Sequence, residues 1–205
     1  MLIGKRANRD PGTHGGVLPH PYIAAHLEFH TYGFRSRQSR RILCQQFRCD
    51  ASVSPMSAPL NVRAVRPADA QAWLALWRGY CAALDGAVPD TIAEGVWQRI
   101  LAPDEPIWCL VACRRDSEPV GFANYVLHPH TWSLQPICYL EDLFVVPEAR
   151  GSGAGRMLMV ALISLGKQHG WRRVYWHTHE NNYRARTLYD RLTQRTDYVR
   201  YDIEL

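Results

Sequence analysis

The sequence predicts an α+β fold, a mixed and mostly antiparallel sheet with helices on both faces, and three stretches carry that prediction. Residues 107–113 and 120–127 are apolar runs joined by a polar turn, an antiparallel hairpin. Residues 139–165 read as a buried strand, a glycine loop and a helix, and a strand at 173–177 follows, so the sheet turns parallel there. Two helical patterns stand between a first strand and the hairpin, giving the order β, α, α, β, β, β, α, β, α, β.

At 205 residues the chain is one domain with room for a proper core. No run approaches the roughly 18 apolar residues of a membrane-spanning helix. The six cysteines form no CxxC pair and no zinc-ligand spacing, and no signal peptide is evident, which points to a reducing cytoplasm and to no metal. The net charge of +5 is local: residues 1–55 hold eight Lys and Arg against three Asp and Glu, and residues 56–205 hold sixteen of each. A neutral domain argues against nucleic acid as its partner.

Residues 1–55 carry Gly, Pro, His and scattered Arg with no sustained period, the pattern of a disordered basic extension. Two readings compete for it, a basic tail that touches nucleic acid or an acidic partner and a start assigned too early; Met56 stands just before strand-like sequence, which favours the second, with the domain spanning 56–205. Residues 61–65 read as the first strand. Pro67 and Asp69 then open a helix that places Trp73, Leu76, Trp77, Tyr80 and Leu84 on one face, and these aromatics read as core. A second helix over 91–101 offers Ile92, Val96, Trp97 and Ile100, after a loop at 85–90 that could close over a substrate. Beyond the hairpin, His128-Pro129-His130-Thr131-Trp132 is expected to break the strand, with solvated histidines, before 137–146 resumes the sheet. The stretch 178–189 turns into a helix that runs to about Leu192, and a closing strand at 198–204 completes the chain.

The glycine loop is the most informative feature. Arg150, Gly151, Ser152, Gly153, Ala154, Gly155 and Arg156 lie between the strand and a helix carrying Leu158, Ala161, Leu162 and Leu165 at three-four spacing. A helix N-terminus leaves about four N–H groups unpartnered and carries roughly half a positive charge, and small residues let the backbone come close to an anion. This is a pyrophosphate cradle. It is neither a P-loop, lacking the Lys, nor a dinucleotide fingerprint, since the glycines alternate.

Arg150, Gly153 and Gly155 fit Arg/Gln-x-x-Gly-x-Gly/Ala after a strand ending Val145-Val146-Pro147, which resembles the acetyl-CoA-binding motif of the GNAT superfamily of N-acyltransferases. The resemblance covers about residues 60–205 and is densest over 139–189. Tyr139-Leu140-Glu141-Asp142-Leu143-Phe144-Val145, with Asn182 and Tyr189, looks most like the spermidine/spermine acetyltransferases and the yeast-type histone and polyamine acetyltransferases. Trp176-His177-Thr178 and the run from Asn182 to Tyr189 resemble the latter branch in particular. One departure is Asp197-Tyr198, where many relatives carry Gly-Phe.

The resemblance implies the GNAT fold, acetyl-CoA as co-substrate, a homodimer, and transfer to a primary amine of a small polyamine-like molecule or a lysine side chain. Leu143, Phe144 and Val145 would pair their backbone with pantetheine. The loop from Arg150 to Arg156 would bind pyrophosphate, Asn182, Arg184 and Ala185 would contact the CoA arm, Glu141 would act as base and Tyr189 as acid. The chemistry suits those residue types. An alkylammonium has a pKa of about 10.4, so releasing its proton at pH 7 costs on the order of 4 to 5 kcal/mol, and a base must share that cost. Asp142 points away from Glu141 in a regular strand and towards it across a bulge, which keeps Asp142 as a second candidate. The rival reading is a non-catalytic acyl-CoA-binding or protein-interaction module that keeps the loop.

Overall fold

The computed structural model describes residues 59–84, 86, 88–114 and 118–205. The expected basic extension, the start near Met56, and Asp85 lie outside these. Five strands form one sheet in the order of the chain: β1 (Leu60–Ala64), β2 (Ile107–Arg114), β3 (Glu118–His130), β4 (Ser133–Val145) and β5 (Val174–Trp176). The first three pairings are antiparallel and the last is parallel. Helices α1 (Ala70–Ala83) and α2 (Asp90–Leu101) connect β1 to β2, α3 (Ala154–Gln168) crosses from β4 to β5, and α4 (Tyr183–Tyr189) follows.

Side-chain alternation sorts the core into two layers. On one face Leu110, Ala112, Ala123, Tyr125 and Leu140 pack under Leu158, Met159, Leu162 and Leu165 of α3. On the other, Cys109, Val111, Cys113, Phe122 and Phe144 pack against Trp73 and Leu76 of α1 and Trp97 and Ile100 of α2. A sheet covered on both faces explains why β2 and β3 are near-continuous apolar runs. Trp73 is fully buried, stacked on Trp77 with centroids 5.3 Å apart. Arg63 and Asp69 tie β1 to α1 through a buried two-bond pair at 2.7 and 2.9 Å, and Asp69 also accepts from the Arg66 N–H at 2.7 Å.

Three expectations change. The strand is not broken at His128: β3 runs through His130, and residues 131–132 form a tight turn into β4. Pro129, which has no N–H to give a ladder, sits where the register shifts between His128 and His130. Ile92 is 53% exposed because α2 buries Ala93, Trp97 and Ile100 instead. The closing strand at 198–204 is absent, and residues 194–205 have no regular structure.

Candidate active site

The site lies where β4 and β5 part. β5 pairs only with Cys138, Tyr139 and Leu140, so from Glu141 to Val145 β4 keeps β3 on one side and has no described strand on the other. At this point the strand carries a bulge. Asn124 is opposite Asp142 and Tyr125 is opposite Leu140, which leaves Glu141 as the extra residue. Parity therefore flips: Leu140 faces α3, whereas Asp142 and Phe144 face α1. Glu141 and Asp142 thus present both carboxylates to one side.

Asp142 is buried and accepts from Asn124 Nδ2 at 3.0 Å, and the Tyr80 phenol of α1 interacts with its carboxylate. Burial raises its pKa, and those two donors hold part of the rise back. Glu141 is partly exposed; burial first and the Asp142 charge second raise its pKa, while Arg200 opposes. Beside it four rings form a cluster, three from β3, β4 and β5 and the fourth, His177, from just past the end of β5. Tyr139 and Tyr175 have centroids 5.0 Å apart, His177 packs on both, and His128 Nε2 lies 3.0 Å from the Tyr175 hydroxyl. Arg173 lies over the Tyr175 ring at 5.2 Å, and the positive charge of Arg200 works against the rise that burial gives the Tyr139 phenol. His128 is therefore part of this cluster rather than a solvated loop histidine.

The glycine loop follows β4 directly. Gly151 (φ 84°) and Gly153 (φ 93°) occupy the left-handed region, and Gly153 caps α3, whose first-turn N–H groups have no intrahelical acceptor. A Cβ at either glycine would meet nothing within 4 Å, so the backbone faces open space to which an anion can come close. Arg150 donates from Nε to the Val145 carbonyl at 3.0 Å and covers the Phe144 ring, which fixes the loop on the strand; Arg156 is exposed. The Ser152 hydroxyl turns back to the Ala149 carbonyl.

Gly155 lies where α4 meets the strand end: a Cβ there would make ordinary contact with Leu188 at 3.5 Å and Val145 at 3.8 Å. Tyr189 follows Leu188, packs its ring on Trp176 at 5.2 Å, and has its pKa raised by burial. Asn182 caps α4, its Oδ1 accepting from the Ala185 N–H at 3.3 Å and its Nδ2 donating to Thr178; Arg184 is exposed. So the loop, the strand end from Leu143 to Val145 and α4 converge, with Glu141 one turn of strand away. Sequence reasoning missed Tyr80, Asn124 and the ring cluster. Asn124 left a signal, the one amide in the apolar run 120–127. The cluster left none, because its members come from β3, β4, β5 and the residue that follows β5.

No group of three or more His, Cys, Asp and Glu side chains placed to hold a metal ion occurs among the described residues. No helix among them is long and apolar enough to cross a membrane.

Comparison with known proteins bears on the family and the fold. The model of the Acetyltransferase (GNAT) family matches residues 71–193. The chain is 33% identical over 141 residues to a D-amino-acid N-acetyltransferase of Saccharomyces cerevisiae, covering 68% of this chain and 88% of that protein. It is 33% identical over 119 residues to an aminoglycoside N(6')-acetyltransferase type 1 of Stenotrophomonas maltophilia, covering 57% and 72%. Among solved structures, an aminoglycoside N-acetyltransferase in complex with CoA shares the fold with a TM-score of 0.62 at 20% identity, over 74% of this chain and 99% of that one.

Proposed function

The chain belongs to the GNAT acetyltransferase family, whose enzymes use acetyl-CoA as co-substrate, and from that premise we propose direct transfer of the acetyl group to a primary amine of a small polyamine-like molecule or a lysine side chain. The observation that supports a cationic acceptor is the bulge, which turns Glu141 and Asp142 to one side beside the ring cluster. Carboxylates and aromatic faces both attract ammonium groups.

In this reading the N–H groups of Gly151, Ser152, Gly153, Ala154, Gly155 and Arg156, with Arg150, hold the pyrophosphate. The backbone of Leu143, Phe144 and Val145 pairs with pantetheine, and Asn182, Arg184 and Ala185 contact the CoA arm. Glu141 accepts a proton from the ammonium, directly or through water, and its raised pKa suits it to do so. The amine nitrogen then bonds to the thioester carbonyl carbon while a strand N–H stabilises the oxyanion. The C–S bond breaks, Tyr189 gives its proton to the leaving thiolate, and the second proton, lost by the acylated nitrogen, passes through water to restore the Tyr189 phenol, yielding amide, free CoA and the proton held by Glu141. Burial keeps that phenol protonated until it is needed.

A second reading has an observation of its own. Arg173 and Arg200 flank the ring cluster, which favours an acceptor that carries a carboxylate near its amine, and one relative is named for D-amino acids. CoA release with acetyl-CoA and spermidine, a lysine peptide, D- and L-amino acids and an aminoglycoside tests both. Turnover of polyamine or lysine, lost in Glu141→Gln, supports the first; turnover of amino acids alone replaces it with the second. Tight acetyl-CoA binding without turnover of any acceptor would favour a binding module.

A further inference from the structure

The bulge turns two carboxylates to one side, and neighbouring carboxylates take up their protons in turn, one member first as the pH falls. Which member goes first depends on what surrounds each. Asp142 is 8% exposed and Glu141 stands more in solvent, so burial by itself would hand the first proton to Asp142. Two neighbours act the other way. Asn124 of β3, 1% exposed, donates from Nδ2 to Asp142 Oδ2 at 3.0 Å, and the other end of that amide, Oδ1, is buried without a partner among the described residues. The amide is thus given over to Asp142. From α1 the Tyr80 phenol interacts with the same carboxylate, its ring set edge-on to Phe122 and Phe144 at 5.9 and 6.1 Å. Both interactions favour the ionised form.

We propose that Tyr80 and Asn124 are positioning residues that keep the Asp142 carboxylate ionised behind the bulge, and so leave Glu141 as the member of the pair that takes up a proton first. Neither side chain handles that proton; both act through Asp142, whose charge draws a proton to its neighbour. The other titratable groups around Asp142 are the Cys81 thiol of α1 and the Cys109 thiol of β2. Glu141 is faced by Tyr80, Tyr139, Tyr175 and Arg200, with His128 and His177 bonded to the two strand phenols. Burial pushes those thiols and phenols up, so none of them carries charge in the acid range where the pair titrates. That the proton on Glu141 comes from the acceptor rests on the reading of Glu141 as base, which turnover by Glu141→Gln tests separately.

NMR titration of the side-chain carboxyl carbons in the full chain, with no acceptor present, tests the order of protonation. Glu141→Gln and Asp142→Asn assign the two signals. In the wild type Glu141 is expected to protonate at higher pH than Asp142. Tyr80→Phe, which keeps the ring, and Asn124→Leu should each raise the Asp142 midpoint by at least about half a pH unit and lower that of Glu141, which loses a like charge beside it. Tyr80→Phe alone decides the matter if Asn124→Leu does not fold. In an Asp142→Asn background Tyr80→Phe should move Glu141 no further. Opposite movement separates this role from a structural one, because loosened packing would lower both midpoints together. The proposal is overturned by a wild type in which Asp142 protonates first, or by a Tyr80→Phe protein in which Glu141 stays put or both midpoints fall. It is equally overturned if Tyr80→Phe shifts Glu141 as far without Asp142 as with it.

Discussion

Glu141 and Asp142 are consecutive in β4, yet their carboxylates share one side of the sheet, because Glu141 is the extra residue of a bulge. Burial and the neighbouring charge raise the pKa of Glu141, so the acid limb of kcat/KM should lie above the ordinary carboxylate value of about 4.3. Activity falls as pH drops through that raised value, since only the carboxylate accepts the proton. Removing the like charge with Asp142→Asn should move the limb to lower pH. A pH–rate profile of both proteins checks the direction; an unmoved limb would put the titrating group elsewhere.

Glu141→Gln should lower kcat/KM at neutral pH by about 10²- to 10⁴-fold, the usual contribution of a general base. Some rate should return at high pH, where free amine becomes abundant. Tyr189→Phe keeps the ring on Trp176 and removes only the hydroxyl. It should lower kcat while acetyl-CoA affinity, read by calorimetry, and thermal stability stay near wild type. An unchanged kcat would remove Tyr189 from the mechanism.

Gly153→Ala forces a side chain into the left-handed region at the cap of α3, at a cost of about 1–2 kcal/mol. It should also weaken acetyl-CoA binding, because the loop backbone must shift. Gly95→Ala is the control: this glycine sits inside α2 with nothing within 4 Å of its Cβ position, and Ala there should stabilise by about 1 kcal/mol. Urea unfolding with and without acetyl-CoA separates the two effects.

Asp69→Ala leaves the Arg63 guanidinium buried beside the space it vacates and should cost about 3–5 kcal/mol. Burial alone would raise the Asp69 pKa, but the Arg63 bonds and the Arg66 N–H outweigh it and the net shift is downward. A lowered carboxylate pKa contributes stability that is full above the unfolded value of about 3.9 and is lost as pH falls through the folded value. The gap between wild type and Asp69→Asn should therefore narrow below pH 4, as read by urea midpoints across pH.

Much of the fold could be read from residue order alone. Leu158, Ala161, Leu162 and Leu165 are all buried, as their spacing implied, because a helix crossing a sheet has one face to hide. The GNAT fold itself follows from that strand, loop and helix together with the hairpin, and solved acetyltransferases share it. The bulge was visible only as a condition, since parity along β4 depends on a register that β3 sets. Asn124 and Tyr80 converge on Asp142 from a strand and a helix far apart in sequence, which no local period encodes. The tail misled for a different reason: residues 198–204 do alternate, but a strand exists only where another backbone accepts its ladder.

Because the five strands stand in the sheet in the order in which the chain runs, each can join its predecessor as it leaves the ribosome, and none has to be threaded between two already in place. The backbone ladders up to β4 need no downstream strand, although one face of them waits for α3 to cover it. The seam between Cys138–Leu140 and Val174–Trp176 needs α3 first and closes last. A nascent chain would thus hold its antiparallel ladder before α3, β5 and α4 arrive to complete the proposed thioester site.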